Sequence, residues 1–225
     1  MKNNNNKETI WKVIIFILGI LITGLGVNIL LRSKMGAGAW DTVTYNLSHL
    51  FKISLGIASA IINILVLLVV ILANKKLKYL LVVIPIVTLA LAIDFWDLLI
   101  FKDFTIEQIE IKLLFFVIGL IILPLGLGVT LMSKLPAMVF DELTLALMRV
   151  FKIKQFFTMR IFIELFAIIL ASVLGFIGGI RFGAVNFGSF ILAFTIGPMI
   201  SLYLKWFEPI VNPLIGFNEE EIENT

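Results

Sequence analysis

The chain alternates long apolar stretches with short polar ones. Apolar runs of about 20 residues, the length that a helix needs to cross the roughly 30 Å hydrocarbon core of a bilayer, recur along it. The pattern therefore predicts an all-α polytopic membrane protein that lies in the lipid bilayer. The six predicted transmembrane helices are residues 13–31, 55–73, 79–101, 113–132, 161–180 and 184–204.

The first apolar run follows three basic residues, as a secretory signal peptide would. This run is long, however, and lacks the small-residue cleavage site that a signal peptide carries. We therefore expect a retained first transmembrane helix.

Composition supports a membrane protein and excludes several kinds of chemistry. Hydrophobic residues make up 60% of the chain and charged residues 15%, with a mean hydropathy of +1.10. The absence of Cys excludes disulfides and thiolate sites, and His49 is the single histidine. No phosphate-loop, zinc-protease or serine-hydrolase motif is present. We expect neither enzymatic activity nor a cofactor or metal, and we read the basic residues at span ends as a topology signal rather than a nucleic-acid surface.

The sequence also contains an internal repeat. At an offset of 100, residues 12–53 match residues 112–153 at sixteen positions. The matches between polar residues carry the most weight in so apolar a chain, and they pair Lys12 with Lys112, Lys34 with Lys134, Asp41 with Asp141 and Lys52 with Lys152. We predict two membrane repeats, 12–105 and 112–207, between a tail at 1–11 and an acidic tail at 208–225.

Each repeat holds three predicted spans, and an odd number of crossings would place the second repeat upside down relative to the first. With six spans and a cytoplasmic N-terminus, twelve of the eighteen Lys and Arg residues lie on the cytoplasmic side. If the polar segment of each repeat also crossed, eight spans would divide these residues eleven to seven. The positive-inside rule favours six spans, an inverted arrangement and two cytoplasmic termini.

A polar interruption occurs once in each repeat, as "RSKMGAGAWDTVTYNLSHLFKIS" at 32–54 and "MSKLPAMVFDELTLALMRVFKIK" at 132–154. A helix from Trp40 to Phe51 would be about 18 Å long, too short to span a bilayer. Gly36 and Gly38 would permit positive φ and a close backbone approach at its start. Asp41 would lie in its first turn, where the helix dipole favours a carboxylate.

Two interpretations of these segments, 36–51 and 135–151, remain open. Each is either an interfacial amphipathic helix capped by its Asp or a re-entrant half-helix. In the second case the two helix N-termini would meet near the midplane and form an anion-attracting or solute-binding site that includes Asp41 and Asp141.

Further polar residues lie at membrane depth, where they are costly and often functional. Asp94 and Asp97 are predicted on one helical face near the outer end of span three, either as a site or as a wetted helix end. Glu164 lies in span five, either as a site or as a structural partner of Arg160. Asn63 lies close to the position equivalent to Glu164. Gly197 and Pro198 are predicted to break span six, which would free carbonyls for ions or merely kink the helix.

Two segments resemble a known family. The run "GLGVNILLRSKMGAGAWDTVTYNLSHLFKISLGIASAIIN" at 24–63 is similar to the signature of the YczE/YyaS/YitT-like bacterial integral membrane proteins, and "GAVNFGSFILAFTIGPMISLYL" at 183–204 resembles their closing span. The resemblance implies a multi-pass protein of the bacterial plasma membrane, in a family discussed as transporters or regulators. The sequence "KLPAMVFDEL" at 134–143 departs from the pattern, because larger residues replace the small ones around the turn.

The leading hypothesis is a small-solute or ion transporter, with its site between the repeats and proton coupling through Asp41, Asp141 or Glu164. The alternative is a non-transporting membrane protein that binds and regulates partners, including further copies of itself. A polar cavity lined by both Asp41 and Asp141 would favour the transporter.

Overall fold

The computed structural model describes residues 2–136 and 138–216, and the side chains of all of these except 2–5 and 157. All regular secondary structure in this part of the chain is helical. The α-helices are α1 (Lys2–Ser33), α2 (Ala39–Phe51), α3 (Leu55–Asn74), α4 (Val83–Asp94), α5 (Ile109–Met132), α6 (Val139–Phe151), α7 (Phe156–Ile177) and α8 (Phe187–Val211).

Six of the helical segments are long and apolar enough to cross a membrane, as the hydrophobic pattern predicts. The third of them is composite, because a 3₁₀ turn (Leu77–Val82) leads into α4 and a π-helical turn (Phe95–Ile100) follows it. Their exposed side chains are largely Leu, Ile, Val and Phe. Since an extensive apolar outer face is unfavourable in water and favourable against lipid, the exposed faces fit a bilayer.

The two short helices, α2 and α6, have 13 residues each. At 1.5 Å per residue each is about 20 Å long, which covers roughly two thirds of a hydrocarbon core. Both end at a lysine in the left-handed region, Lys52 with φ 54° and Lys152 with φ 55°. A left-handed residue turns the chain sharply after a helix, so α3 and α7 can begin within a few residues.

The centre of the fold is an antiparallel contact between α1 and α5. Glycines allow it, because a Cβ at any of four positions would collide with the opposite helix. These contacts are Gly19 with Thr130, Gly126 with Thr23, Gly26 with Leu123 and Gly119 with Leu30.

The remaining helices pack around this pair, and the short helices contact long helices from the opposite half of the chain. α2 packs on α7, while α6 packs on α3, so each short helix is held by a long helix from the other half of the chain. α4 lies against α1 and α8 lies against α5. This arrangement brings the starts of α2 and α6 to the middle of the molecule.

The predicted acidic tail at 208–225 is partly folded. α8 continues to Val211, and Glu208 accepts a hydrogen bond from Lys134 Nζ at 2.7 Å. Ile215 is fully buried in a small cluster with Ile15 and Met132. Residues 217–225 lie outside the described part of the chain. At the other end, α1 already begins at Lys2, so the described part of the predicted tail at 1–11 is helical.

Candidate functional site

A central cavity lies where the two short helices begin. It has a volume of about 80 Å³, enough for several water molecules or a small ion. Its walls include the first residues of α2 (Gly38, Ala39, Trp40, Asp41), the start of α6 (Met138, Phe140, Asp141), and Thr23, Asn63, Leu123, Arg160 and Glu164 from the long helices.

This cavity lies deep in the helical bundle. A Cβ at position 38 would be 3.8 Å from Cδ2 of Leu123, a residue near the middle of α5. In contrast, Gly36 contacts Gly188 and Ser189 at the first turn of α8. Between residues 36 and 38 the chain therefore runs from the level of the first turn of α8 to the middle of the bundle. α2 begins at that depth and runs back toward the same end of the bundle.

Two aromatic rings from equivalent positions form part of the cavity wall. Trp40 and Phe140 stack with ring centroids 4.5 Å apart and an interplanar angle of 22°. Trp40 is 9% exposed, and its buried Nε1 has no hydrogen-bond partner among the described residues. A buried donor of this kind is costly unless a water or a ligand accepts from it.

Asp41 is the third residue of α2 and faces the cavity. Its carboxylate curls toward the N-cap residue Gly38, where a Cβ would lie 2.5 Å from Oδ2. It forms neither a capping hydrogen bond nor an ion pair with any described residue. Burial raises the pKa of the Asp41 carboxyl above its ordinary range, and the charge of Glu164 raises it further. Asp41 is thus poised to hold a proton.

The two glycines before α2 have different roles, and only Gly36 has the positive φ that was predicted for both. Gly36 adopts φ +123°, a conformation that side chains rarely allow. Gly38 has φ −54°, so the expectation of positive φ is wrong for this residue. Its missing side chain instead leaves room for the Asp41 carboxylate.

Asp141 occupies the equivalent place in α6 but has a cationic partner. Arg160 Nη1 donates to Asp141 Oδ1 at 2.5 Å, and Arg160 Nε donates to Glu164 Oε1 at 2.9 Å. Glu164 is 5% exposed. The second carboxylate oxygens of Asp141 and Glu164 accept no hydrogen bond within the described part of the chain. The Arg160–Glu164 pair was an expected alternative, whereas the bridge to Asp141 joins α6 to α7 and was not predicted.

Asn63 also lines the cavity, on α3. Its Nδ2 donates to the Ser59 carbonyl at 2.7 Å and to Ser59 Oγ at 3.2 Å. Because both donor contacts lie within α3, Asn63 adds polarity to the wall without bridging helices.

Asp94 and Asp97 lie outside the central cavity and do not act together. Asp94 accepts from Ser54 Oγ and from the Gly56 amide, both at 2.6 Å, and so joins the end of α4 to the start of α3. Asp97 pairs with Arg32 at 2.6 Å beside an outer polar pocket. The π-helical turn after Asp94 changes the helical spacing, so the predicted shared face does not form.

Gly197 and Pro198 do not interrupt their helix. α8 is continuous through both residues, which corrects the predicted break. They line a second cavity, which we call the lateral cavity, of about 580 Å³ between α7 and α8. It shares six residues with the central cavity: Leu131, Asp141, Arg160, Glu164, Ile196 and Ile200.

Asn46 is a structural residue that sequence reasoning missed. Its Nδ2 donates to the carbonyls of Ala171 and Phe182, at 2.7 and 3.1 Å, and its Oδ1 accepts from the Ala184 amide at 3.1 Å. These bonds fix α2 to α7 and to the loop before α8. Its polarity on a mostly apolar helix face was the available signal, but its partners are more than 100 residues away.

Together, the fold and the site define a polytopic helical membrane protein with a charged cavity at mid-depth. Residues 10–205 match the model of the DUF6198 family, a family of unknown function, and the chain belongs to that family. It is 26% identical over 161 residues to the uncharacterized protein YyaS of Bacillus subtilis (strain 168). The aligned region covers 72% of this chain and 80% of YyaS. The expected resemblance to a YyaS-like family is confirmed. No solved structure matches the chain.

Proposed function

We propose that the protein transports a small solute or ion and that the central cavity is its binding site. The observation that carries this proposal is the meeting of two half-helix N-termini in one cavity, with Asp41 and Asp141 in its wall. Half-helices that end near the midplane leave backbone groups and dipole ends free for a solute, and transporters use them in this way. A partner-binding scaffold has no need of such a cavity.

We also propose that 12–105 and 112–207 form an inverted repeat, which suits the same function. Shifting both residues of the Gly19–Thr130 contact by 100 gives the Gly119–Leu30 contact, and the same shift converts Gly26–Leu123 into Gly126–Thr23. Reciprocal contacts between antiparallel helices are those that a two-fold axis perpendicular to them generates. We infer that such an axis lies in the membrane plane, near the stack of the equivalent residues Trp40 and Phe140. Transporters can alternate access by rocking two such halves around a fixed site.

The charges at the site favour a cation or a proton over an anion. Asp41, Asp141 and Glu164 face one guanidinium, that of Arg160. The positive ends of α2 and α6 offset only part of this negative charge. We therefore assign proton exchange to Asp41, which has no cationic partner, and solute contact to the Asp141–Arg160–Glu164 group.

We place the protein in the bacterial plasma membrane, with both termini in the cytoplasm and no enzymatic activity or cofactor. The family relationship and the distribution of basic residues support this placement. Self-association is compatible with the proposal but is not required by it.

Cysteine accessibility tests the proposal without a known substrate, because the natural chain has no Cys. Met138→Cys places a thiol in the wall of the central cavity. We expect a membrane-impermeant thiosulfonate reagent to modify it from either side of the membrane, in intact cells and in inverted vesicles. A protein that alternates access exposes its site to both sides in turn.

Three control positions complete this experiment. Lys52→Cys and Lys152→Cys occupy equivalent exposed positions. Each should react from one side of the membrane only, and the two reactive sides should be opposite. Val70→Cys is fully buried away from the cavity and should not react. Modification of Met138→Cys from one side alone would contradict transport, and same-side reaction of both lysine positions would contradict the inverted arrangement.

Replacement of Asp41 by Asn should increase thermal stability at pH 8 by a few degrees, and this gain should shrink as the pH falls to 5. The pKa of Asp41 is raised in the folded protein, so ionisation at high pH destabilises the fold, and this cost falls as the folded carboxyl takes up a proton below its raised pKa while the unfolded carboxyl stays ionised. The same variant should fail to complement loss of the gene, because Asn cannot exchange a proton.

Melting curves at several pH values and complementation at matched protein levels measure the two effects of Asp41→Asn. Asp97→Asn is the control, since that residue pairs with Arg32 outside the cavity. Full complementation by Asp41→Asn would show that the carboxylate is not functional.

A further inference from the structure

The two halves of the molecule differ at one contact between neighbouring helices. In the first half, Asp94 binds Ser54 and the amide of Gly56, and the end of α4 lies so close to the start of α3 that Gly56 has no room for a Cβ. This side of the molecule is closed.

The corresponding place in the second half is open. Phe156 is the counterpart of Gly56 at the offset of 100. Farther along the repeats the offset becomes 103, where Leu89 and Ala90 recur as Leu192 and Ala193, and this offset pairs Asp94 with Gly197. No carboxylate joins α8 to α7 here, and a Cβ at Gly197 would have nothing within 4 Å. The lateral cavity occupies this gap.

The lateral cavity leads from the lipid-facing surface to the charged group. Phe156 and Ser201 are exposed at its rim, whereas Glu164 at its inner end is 5% exposed. Most of its wall is apolar, formed by Leu131, Leu192, Ala193, Ile196, Pro198 and Ile200. A volume of about 580 Å³ is within the range of sites that hold drug-sized molecules.

Charge at the inner end selects the kind of ligand. Two carboxylates and one guanidinium leave one negative charge when all three are ionised, and Arg160 already directs two of its nitrogens at those carboxylates. The remaining oxygens of Glu164 and Asp141 accept nothing within the described chain, so they are free to receive a cation. Neutralising a buried negative charge in an apolar cavity is strongly favourable.

We propose that the lateral cavity binds hydrophobic monovalent organic cations, which enter from the bilayer between α7 and α8 and place their charge beside Glu164 and Asp141. This inference deepens the proposed function, because it names the class of substrate for the site next to the central cavity. An apolar body would occupy the space between the helices while the charged centre reaches the carboxylates.

The test measures binding of tetraphenylphosphonium to the full chain in phosphatidylcholine nanodiscs by titration calorimetry, after subtraction of empty nanodiscs. Tetraphenylborate has a similar shape and the opposite charge, so it is the matched ligand control. We expect saturable binding of the cation, at least about tenfold tighter than that of the anion. Equal binding of the two ions, or binding that does not saturate, would overturn the proposal.

Two variants locate the site. Glu164→Gln should weaken cation binding about tenfold, because it removes one of the two negative charges that attract the cation. Gly197→Leu should abolish binding with little change in melting temperature, because its side chain enters empty space in the cavity. Leu202→Phe adds bulk to α8 at a residue outside the cavity lining and should bind normally.

Unaltered binding by Gly197→Leu would overturn the proposed location even if Glu164→Gln does not fold. Binding is measured at equilibrium and needs no transport, so the result is independent of the Met138→Cys experiment. If the cation binds saturably but Met138→Cys reacts from one side of the membrane only, the lateral binding site is supported and the transport function is contradicted.

Discussion

Replacing Arg160 by Met should destabilise the protein by about 3 kcal/mol, near the lower end for removal of one partner from a buried ion pair. Arg160 is the only basic residue in the lining of either cavity, and its loss leaves Asp141 and Glu164 without a cation. The side chain of Asp141 is one-third exposed, which keeps the expected cost from being larger. Thermal unfolding in detergent measures the effect.

A charge-balanced variant separates lost charge from lost packing. The triple variant Arg160→Met, Asp141→Asn, Glu164→Gln should recover most of the stability, since no lone charge remains. Arg149→Met removes an exposed guanidinium from the neighbouring helix and should change stability by less than about 0.5 kcal/mol. If the triple variant melts as low as Arg160→Met, the guanidinium stabilises the fold by packing and not by balancing the carboxylates.

Two glycine-to-alanine variants in α5 should have opposite outcomes. A Cβ at Gly126 would collide with the backbone of α1 at Thr23, whereas a Cβ at Gly128 would make an ordinary 3.4 Å contact with Tyr203. We expect Gly126→Ala to cost about 1–3 kcal/mol through overpacking. Gly128→Ala should be neutral or should gain up to about 1 kcal/mol, because Ala favours a helix.

Melting temperatures of the two α5 variants, compared with wild type in one detergent, provide the measurement. Gly26→Ala should behave like Gly126→Ala, since a Cβ at Gly26 would lie 2.6 Å from Cα of Leu123. Equal melting temperatures for Gly126→Ala and Gly128→Ala would mean that α1 and α5 can move apart at little cost.

Much of the fold could be predicted from the sequence, because its main determinant is periodic. Uninterrupted apolar runs predict membrane helices wherever they occur, and all six are present. The short helix Ala39–Phe51 was also predicted closely, as 40–51, since glycines precede it and Asp41 suits its first turn. These signals are local and need no knowledge of partners.

The candidate site was less predictable, because its geometry depends on contacts between distant segments. The sequence places Glu164 one turn after Arg160, but it cannot show that Arg160 also reaches Asp141 on another helix. The sequence also left Asp94 open as a site residue or a wetted helix end, and it could not show that this carboxylate binds Ser54 and the Gly56 amide between α4 and α3. An acidic residue at membrane depth has the same sequence signal in both roles.

The anchoring of α2 by Asn46 imposes an order on biosynthesis. When ribosomes have completed α4 and the π-helical turn after it, this segment can already bind α1 through Asn28 and Trp96, which donate to the carbonyls of Ile93 and Leu21. The partners of Asn46 are not made until the segment from Ala171 to Ala184 has been translated. Segment 39–51 therefore lacks these contacts until more than 100 further residues have been translated, so the half-helix reaches its final surroundings later than α1 and α4 do.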